Sequence, residues 1–194
     1  SLIETLAKNN ASITEIELVV YETDQDILPY TQATLNYLEK WLKQFKIKFT
    51  STLDRNDFVI ENKDCFEQNA TLFSMAHNAT FDIVISNPPY FKIPKDDKRA
   101  VVAKSIVWGQ PNIYSIFMMV ATKLLKQGGE LIFITPRSFA SGNYFRAFRE
   151  AFFQEIEIQQ IHLFGSRTDT FDRDSVLQET LILKGKKEKL IGHL

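Results

Sequence analysis

Asp82-Ile83-Val84-Ile85-Ser86-Asn87-Pro88-Pro89-Tyr90 passes directly from a strand signal to a stop signal. A short apolar, β-branched run bounded by turn residues reads as a buried strand. The two consecutive prolines that follow end any ladder pairing and fix the backbone. A residue before proline is pushed to extended geometry, so Asn87 and Pro88 are both held in one conformation. The reading is a stiff loop at the carboxyl end of a strand, presenting one amide side chain, one bare carbonyl and one aromatic ring. In an open α/β sheet, ligands bind at that end of the strands.

Such a loop suits transfer of a group to an exocyclic amine. The lone pair of an aryl amine is spread into its ring, which makes it a poor nucleophile. The Asn87 side-chain oxygen and the Pro88 carbonyl can together accept both amine protons. This localises the lone pair and favours attack on an electrophilic methyl, by positioning and electrostatic preorganisation. Tyr90 offers a face on which a planar base can stack. The plainer alternative is a turn after a strand, with Tyr90 capping the core.

The remaining chain alternates strand and helix. Ile16 to Tyr21 reads as a strand that ends in Glu22-Thr23-Asp24. An amphipathic helix from about Gln25 to Phe45 follows, with Leu28, Leu35, Leu38 and Leu42 at helical spacing. Lys46 to Leu53 and Phe58 to Ile60 are strand candidates, and Lys92 to Gln110 reads as a polar loop with a short helix. A helix over Ile113 to Lys126 is expected to stop at Gly128-Gly129. A strand over Glu130 to Thr135 is closed by Pro136. Asn143 to Phe153 reads as a helix with Arg146 and Arg149 on its exposed side. Strands at Ile156 to Phe164 and Val176 to Leu183 close the pattern, and Lys184 to Lys189 reads as a charged tail. The alternation predicts an α/β fold with a mostly parallel sheet and helices on both faces.

The 194 residues, 44% hydrophobic and 24% charged, fit one domain with a sizeable core. Cys65 alone excludes a disulfide framework, and His77, His162 and His193 show no metal-ligand spacing, so no metal is expected. No apolar run is long enough to cross a bilayer. The expectation is a cytoplasmic, reducing compartment without membrane attachment. A net charge of −1 gives no global attraction to nucleic acid, so any such partner must be held by local patches.

Glu22, at the tip of its strand, can accept two hydroxyl hydrogen bonds from a ribose. The alternative is a helix N-terminal charge, which Asp24 and Asp26 fit better. Asp64 can accept from an adenine amino group, or it can make an Asx-turn. An acid after one strand, an acid after the next and Asn-Pro-Pro-Tyr after the third is the layout expected for a nucleoside-bearing cofactor beside an acceptor amine.

These residues resemble the adenine-N6 DNA methyltransferases of bacterial type II (IIG-like) restriction–modification systems, in the group whose cofactor motifs precede the Asn-Pro-Pro-Tyr loop. The resemblance continues through Asn112-Ile113-Tyr114-Ser115-Ile116-Phe117, Leu124 to Gly129, Phe133-Ile134-Thr135-Pro136, Phe148-Arg149-Glu150 and Phe171 to Leu183, and so covers nearly all of Glu17 to Gly185. It implies a Rossmann-like fold, S-adenosylmethionine as methyl donor and a flipped-out adenine in double-stranded DNA as acceptor. By matching position, Asn87, Pro88, Pro89 and Tyr90 form the catalytic loop. Glu22 matches the ribose ligand and Asp64 the partner of the cofactor's adenine amine. Thr23, Cys65, Pro89 and Phe117 match the wall around that adenine, with Asn87 at the cofactor as well as the target. Tyr90 and Phe171 match the aromatics on the target base. For Phe117, a plain helix-core role fits its spacing equally well. The mechanism implied is direct in-line methyl transfer, with no cysteine nucleophile.

The sequence departs from this family in two respects. No Asp/Asn-Pro-x-x-Gly-x-Gly-like loop precedes Glu22, and no target-recognition domain follows the last strand. Ser1 is no initiator, and Leu2 to Lys8 reads as the tail of a helix. The expectation is therefore a methyltransferase catalytic domain over residues 1–194, lacking its first strand and glycine loop, from a parent with linked target-recognition and nuclease parts. Weak or undetectable cofactor binding by this piece follows. Lys92, Lys95, Lys98, Arg99 and Lys104, with Arg137, Arg167 and Arg173, are candidates for phosphate contacts. The same loop geometry also serves an RNA base or a protein glutamine, and a non-catalytic DNA-binding module is a further alternative.

Overall fold

The computed structural model describes residues 2–9, 12–66, 80–104, 111–164 and 179–188. His77, Arg167, Phe171 and Arg173 lie outside the described residues. The chain divides into two compact units, residues 1–61 and 62–194.

The first unit comprises α1 (Leu2–Asn9), β1 (Glu15–Tyr21), α2 (Leu28–Lys43), β2 (Lys48–Asp54) and α3 (Phe58–Glu61). β1 and β2 pair in parallel from Glu15↔Lys48 to Tyr21↔Asp54. α2 buries Leu28, Leu35, Leu38 and Leu42, as its helical spacing predicts. It starts at Leu28 rather than Gln25. Asp24 holds the preceding residues in a turn, its carboxylate accepting from the Asp26 amide at 2.9 Å and its carbonyl from Ile27 and Leu28. Pro29 then sits in the first turn, where its missing N–H leaves nothing unsatisfied. At the other end Lys46 takes φ 57°, and the Ile47 amide reaches back to the Leu42 carbonyl at 3.3 Å, a left-handed helix stop.

The expected strand at Phe58 to Ile60 is instead the helix α3. The Asp57 carboxylate accepts from the Val59 and Ile60 amides at 2.9 and 3.1 Å, an N-cap that overrides the β-branched pair.

The second unit opens with a 3-10 turn, Lys63–Phe66. It continues with β3 (Phe81–Ser86), α4 (Lys98–Val102), α5 (Ile113–Leu124), β4 (Leu125–Pro136), a 3-10 turn (Arg137–Ala140), α6 (Arg146–Phe153), β5 (Ile156–Leu163) and β6 (Thr180–Lys187). Its sheet runs β3-β4-β6-β5. β3 and β4 are parallel, and β6 inserts antiparallel between β4 and β5. The core joins Met118 and Met119 of α5, Leu131 and Phe133 of β4, Phe148 and Phe152 of α6, and Leu181 and Leu183 of β6. α5 is apolar on nearly every face and is accordingly buried along its length.

Further boundaries and one side-chain placement differ from expectation; α6 begins at Arg146 rather than Asn143. α5 ends at Leu124 and β4 begins at once, so Gly128-Gly129 lie inside the strand. The register passes from Phe81↔Leu125 to Ile83↔Glu130, so the residues between loop out, and Gly128 at φ +80° allows it. Lys184 to Lys187 are not a tail but the end of β6. There Gly185 is obligatory, because a Cβ would stand 2.5 Å from Ile156 Cγ2 on β5. Arg149 is half-buried rather than free in solvent. Its guanidinium donates to the Phe139, Ser141 and Gly142 carbonyls at 3.0, 3.0 and 2.7 Å, tying α6 to the segment before it. Among the described residues no helix is long and apolar enough to cross a membrane.

Candidate active site

β3 stops where its sequence stops it. Ser86 pairs with Phe133, and the prolines beyond Asn87 have no N–H to continue the ladder. The next carbonyl on β4, that of Ile134, is thereby left for another donor. The Tyr90 hydroxyl takes it at 2.9 Å and also contacts Asn87 Oδ1 at 2.5 Å. Along the loop, Asn87 and Pro89 are exposed, Pro88 is buried and Tyr90 is half-buried. The Tyr90 ring stands edge-to-face with Tyr114, centroids 6.3 Å apart. Burial pushes the Tyr90 hydroxyl pKa up to about 12, so it remains protonated at neutral pH.

The exit of the loop is clamped onto the start of α5. The Ile113 amide donates to Phe91 O and the Ile93 amide to Pro111 O, both at 2.9 Å, around the bridge Lys92↔Asn112. Lys92 Nζ lies over the Tyr144 ring at 5.3 Å. Tyr114, fully buried, shares a 3.0 Å hydrogen bond with Ser138, and burial raises its hydroxyl pKa further still. Asn112 is 8% exposed, and its buried Oδ1 finds no hydrogen-bond partner among the described residues.

Asp64 and Cys65 sit on the 3-10 turn that packs against α5, the helix that carries Phe117. Asp64 is exposed, and its carboxylate makes no hydrogen bond among the described residues, so the Asx-turn reading is not what the structure shows. Cys65 is half-buried, and burial first, then the neighbouring Asp64 carboxylate, pushes its thiol pKa up to about 12, with Lys123 opposing. Phe66, Tyr90 and Phe117 all pack against the same core. The second unit thus brings Asp64, Cys65, Phe117 and Asn87 to Tyr90 onto elements sharing one core.

Glu22 and Thr23 follow β1 in the first unit. One Glu22 carboxylate oxygen accepts from the Asp24 amide at 2.9 Å, and the other has no hydrogen-bond partner among the described residues. Of the cationic candidates, Lys92, Lys95, Lys98 and Lys104 are exposed. Arg99 is already paired, fork to carboxylate, with Asp97, whose pKa it lowers, and Arg137 is paired with Glu179.

The sequence reading missed the Ile134 carbonyl, Tyr114 with Ser138, and Asn112. For Asn112 a signal existed, since Asn between a proline and an apolar run marks a helix start. A main-chain acceptor such as Ile134 O leaves no signal in side-chain identity.

The fold is that of the Rossmann-like S-adenosylmethionine-dependent methyltransferases. A Listeria monocytogenes protein described as a class I enzyme of that kind superposes with a TM-score of 0.55 at 16% identity, covering 98% of this chain and 59% of its own. The type IIG restriction endonuclease BpuSI matches equally well, with a TM-score of 0.55 at 18% identity over 97% of this chain and 24% of that one. At the level of sequence the Eco57I restriction-modification methylase model matches residues 5–171, and the chain belongs to that family. Among curated relatives, the type II methyltransferase M.PstI of Providencia stuartii is 34% identical over 151 residues, 76% of this chain and 29% of that protein. M.BsuBI of Bacillus subtilis is 32% identical over 176 residues, 91% of this chain and 34% of that protein. The chain therefore spans about a third of the length of these relatives.

Proposed function

We propose that this chain carries the methyl-transfer centre of a site-specific adenine-N6 DNA methyltransferase of a restriction–modification system. The observation that carries the reading is the Asn87 to Tyr90 loop, in which an exposed amide stands at a strand end and is tied to the β4 backbone through Tyr90.

S-adenosylmethionine, when bound, supplies an electrophilic methyl on a sulfonium. Asp64, unpaired among the described side chains, Cys65, Pro89 and Phe117 are the groups of the second unit that would hold its adenine. Glu22, with one carboxylate oxygen uncommitted, would hold the ribose hydroxyls, with Thr23 alongside. Each unit by itself offers groups suited to part of a nucleoside: the Glu22 carboxylate for hydroxyl hydrogens in the first, and the Asp64 carboxylate for amine hydrogens in the second.

Asn87 Oδ1 and the Pro88 carbonyl accept hydrogen bonds from the N6 amine of a flipped adenine. This localises the nitrogen lone pair for in-line attack. The bound cofactor would supply the methyl and be left as a thioether, while the amine would give up one proton to water. Tyr90 supplies the stacking face, with Phe171 proposed as a second aromatic on the same base. Removal of the base from the duplex is required because its amine lies inside the stack. The exposed Lys95, Lys98 and Lys104 are the phosphate contacts of this reading. Target-recognition and nuclease parts of the intact protein are proposed as its linked partners.

The test is transfer of labelled methyl by the intact protein to duplex DNA, to RNA and to a glutamine-bearing protein. The expected product is N6-methyladenine in duplex DNA alone. Label in RNA or protein, with none in DNA, would assign the loop to another acceptor.

A further inference from the structure

The Tyr90 hydroxyl has a single hydrogen and faces two acceptors, Asn87 Oδ1 at 2.5 Å and the Ile134 carbonyl at 2.9 Å. One hydrogen cannot satisfy both. The Ile134 carbonyl has no alternative orientation, whereas the two ends of an asparagine amide exchange places by a half turn about its last torsion. With Nδ2 turned to Tyr90, every group is satisfied: Nδ2 donates to the hydroxyl, and the hydroxyl donates to Ile134. The amide oxygen then points away from Tyr90.

From this geometry we infer that the Tyr90 hydroxyl is a positioning group that fixes the rotation of the Asn87 amide, aiming its oxygen at the incoming amine. The relay runs Asn87 Nδ2–H to Tyr90 Oη–H to the Ile134 carbonyl. This role is separate from stacking, which uses the ring. It also accounts for a polar tip held inside a half-buried aromatic, since a buried hydroxyl needs a partner. The half-buried hydroxyl stays protonated at neutral pH and so remains a donor. Without the hydroxyl, the amide is free to present Nδ2 to the target amine, setting donor against donor.

The inference rests on the amine-acceptor reading of Asn87, and its test keeps the two apart. Tyr90→Phe and Asn87→Ala are made in the full-length protein. Each is assayed for DNA methylation and for base flipping, with 2-aminopurine fluorescence at the target position. Tyr90→Phe is expected to lower kcat about three- to tenfold, the scale of one neutral hydrogen bond, while KM for DNA and the flipping signal stay unchanged because the ring remains. Wild-type kcat in Tyr90→Phe, with methylation lost in Asn87→Ala, would overturn the relay and leave the amine reading standing. Full activity in Asn87→Ala would overturn both. An independent readout needs no turnover: side-chain amide NMR should show the Asn87 amide protons of the wild-type protein slowed in exchange and those of Tyr90→Phe not. Equal exchange in the two proteins contradicts the relay.

Discussion

Tyr90 and Cys65 are each half-buried and each held protonated by burial. Their pKa values stand at about 12 in the folded chain, against ordinary values of 9.0 for the thiol and 10.0 for the phenol. The folded chain therefore keeps protons that the unfolded chain releases. The stability they contribute is complete below pH 9.0 and is lost as pH rises towards about 12. Melting followed by circular dichroism is expected to show a Tm that falls steadily above pH 9, and Cys65→Ala should flatten the first part of that fall. A Cys65→Ala protein with an alkaline limb identical to wild type would show that the thiol is not the group responsible. A thiol so protected is also no nucleophile at neutral pH, in keeping with direct transfer to the amine.

At the scale of elements, the C-terminal end of α5 is the most informative junction. Lys187, at the end of β6, donates to the Thr122 and Leu125 carbonyls at 2.8 and 2.9 Å and to that of Lys123 at 3.4 Å. It satisfies orphan carbonyls of the helix and places a cation where the macrodipole favours one. Desolvation lowers its pKa, while the Glu155 carboxylate 3.9 Å away opposes that shift. Lys187→Met keeps the stem but removes the donor, and should lower unfolding free energy by about 1–3 kcal/mol in denaturant titration. A change within error would mean that water replaces the ammonium without loss. This junction was not legible in the sequence, where Lys184 to Lys189 is indistinguishable from a solvated end. The central strand, α2 and α5 were legible because apolar spacing alone sets them. Phe58 to Ile60 misled because two β-branched residues weigh less than the Asp57 cap before them. Of the candidate site, the loop was legible because proline stiffness is written in residue identity. The tie from Tyr90 to Ile134 was not, since the partner is main chain from a strand 44 residues away.

For the molecule as a whole, the family match runs through both units, from residue 5 to 171, and the chain is about a third of its curated relatives. Glu22 and Thr23 belong to one unit, while Asp64, Cys65, Asn87 to Tyr90 and Phe117 belong to the other. The central claim is that the Asn87 amide oxygen and the adjoining carbonyl make an aryl amine nucleophilic. Its most direct test is single-turnover methylation of duplex DNA by the full-length Asn87→Ala protein, scored as N6-methyladenine by mass spectrometry. The account predicts a rate at least about a hundredfold below wild type, as for loss of one preorganised polar group at a reacting centre. A rate equal to wild type, in a protein that melts normally, would contradict it.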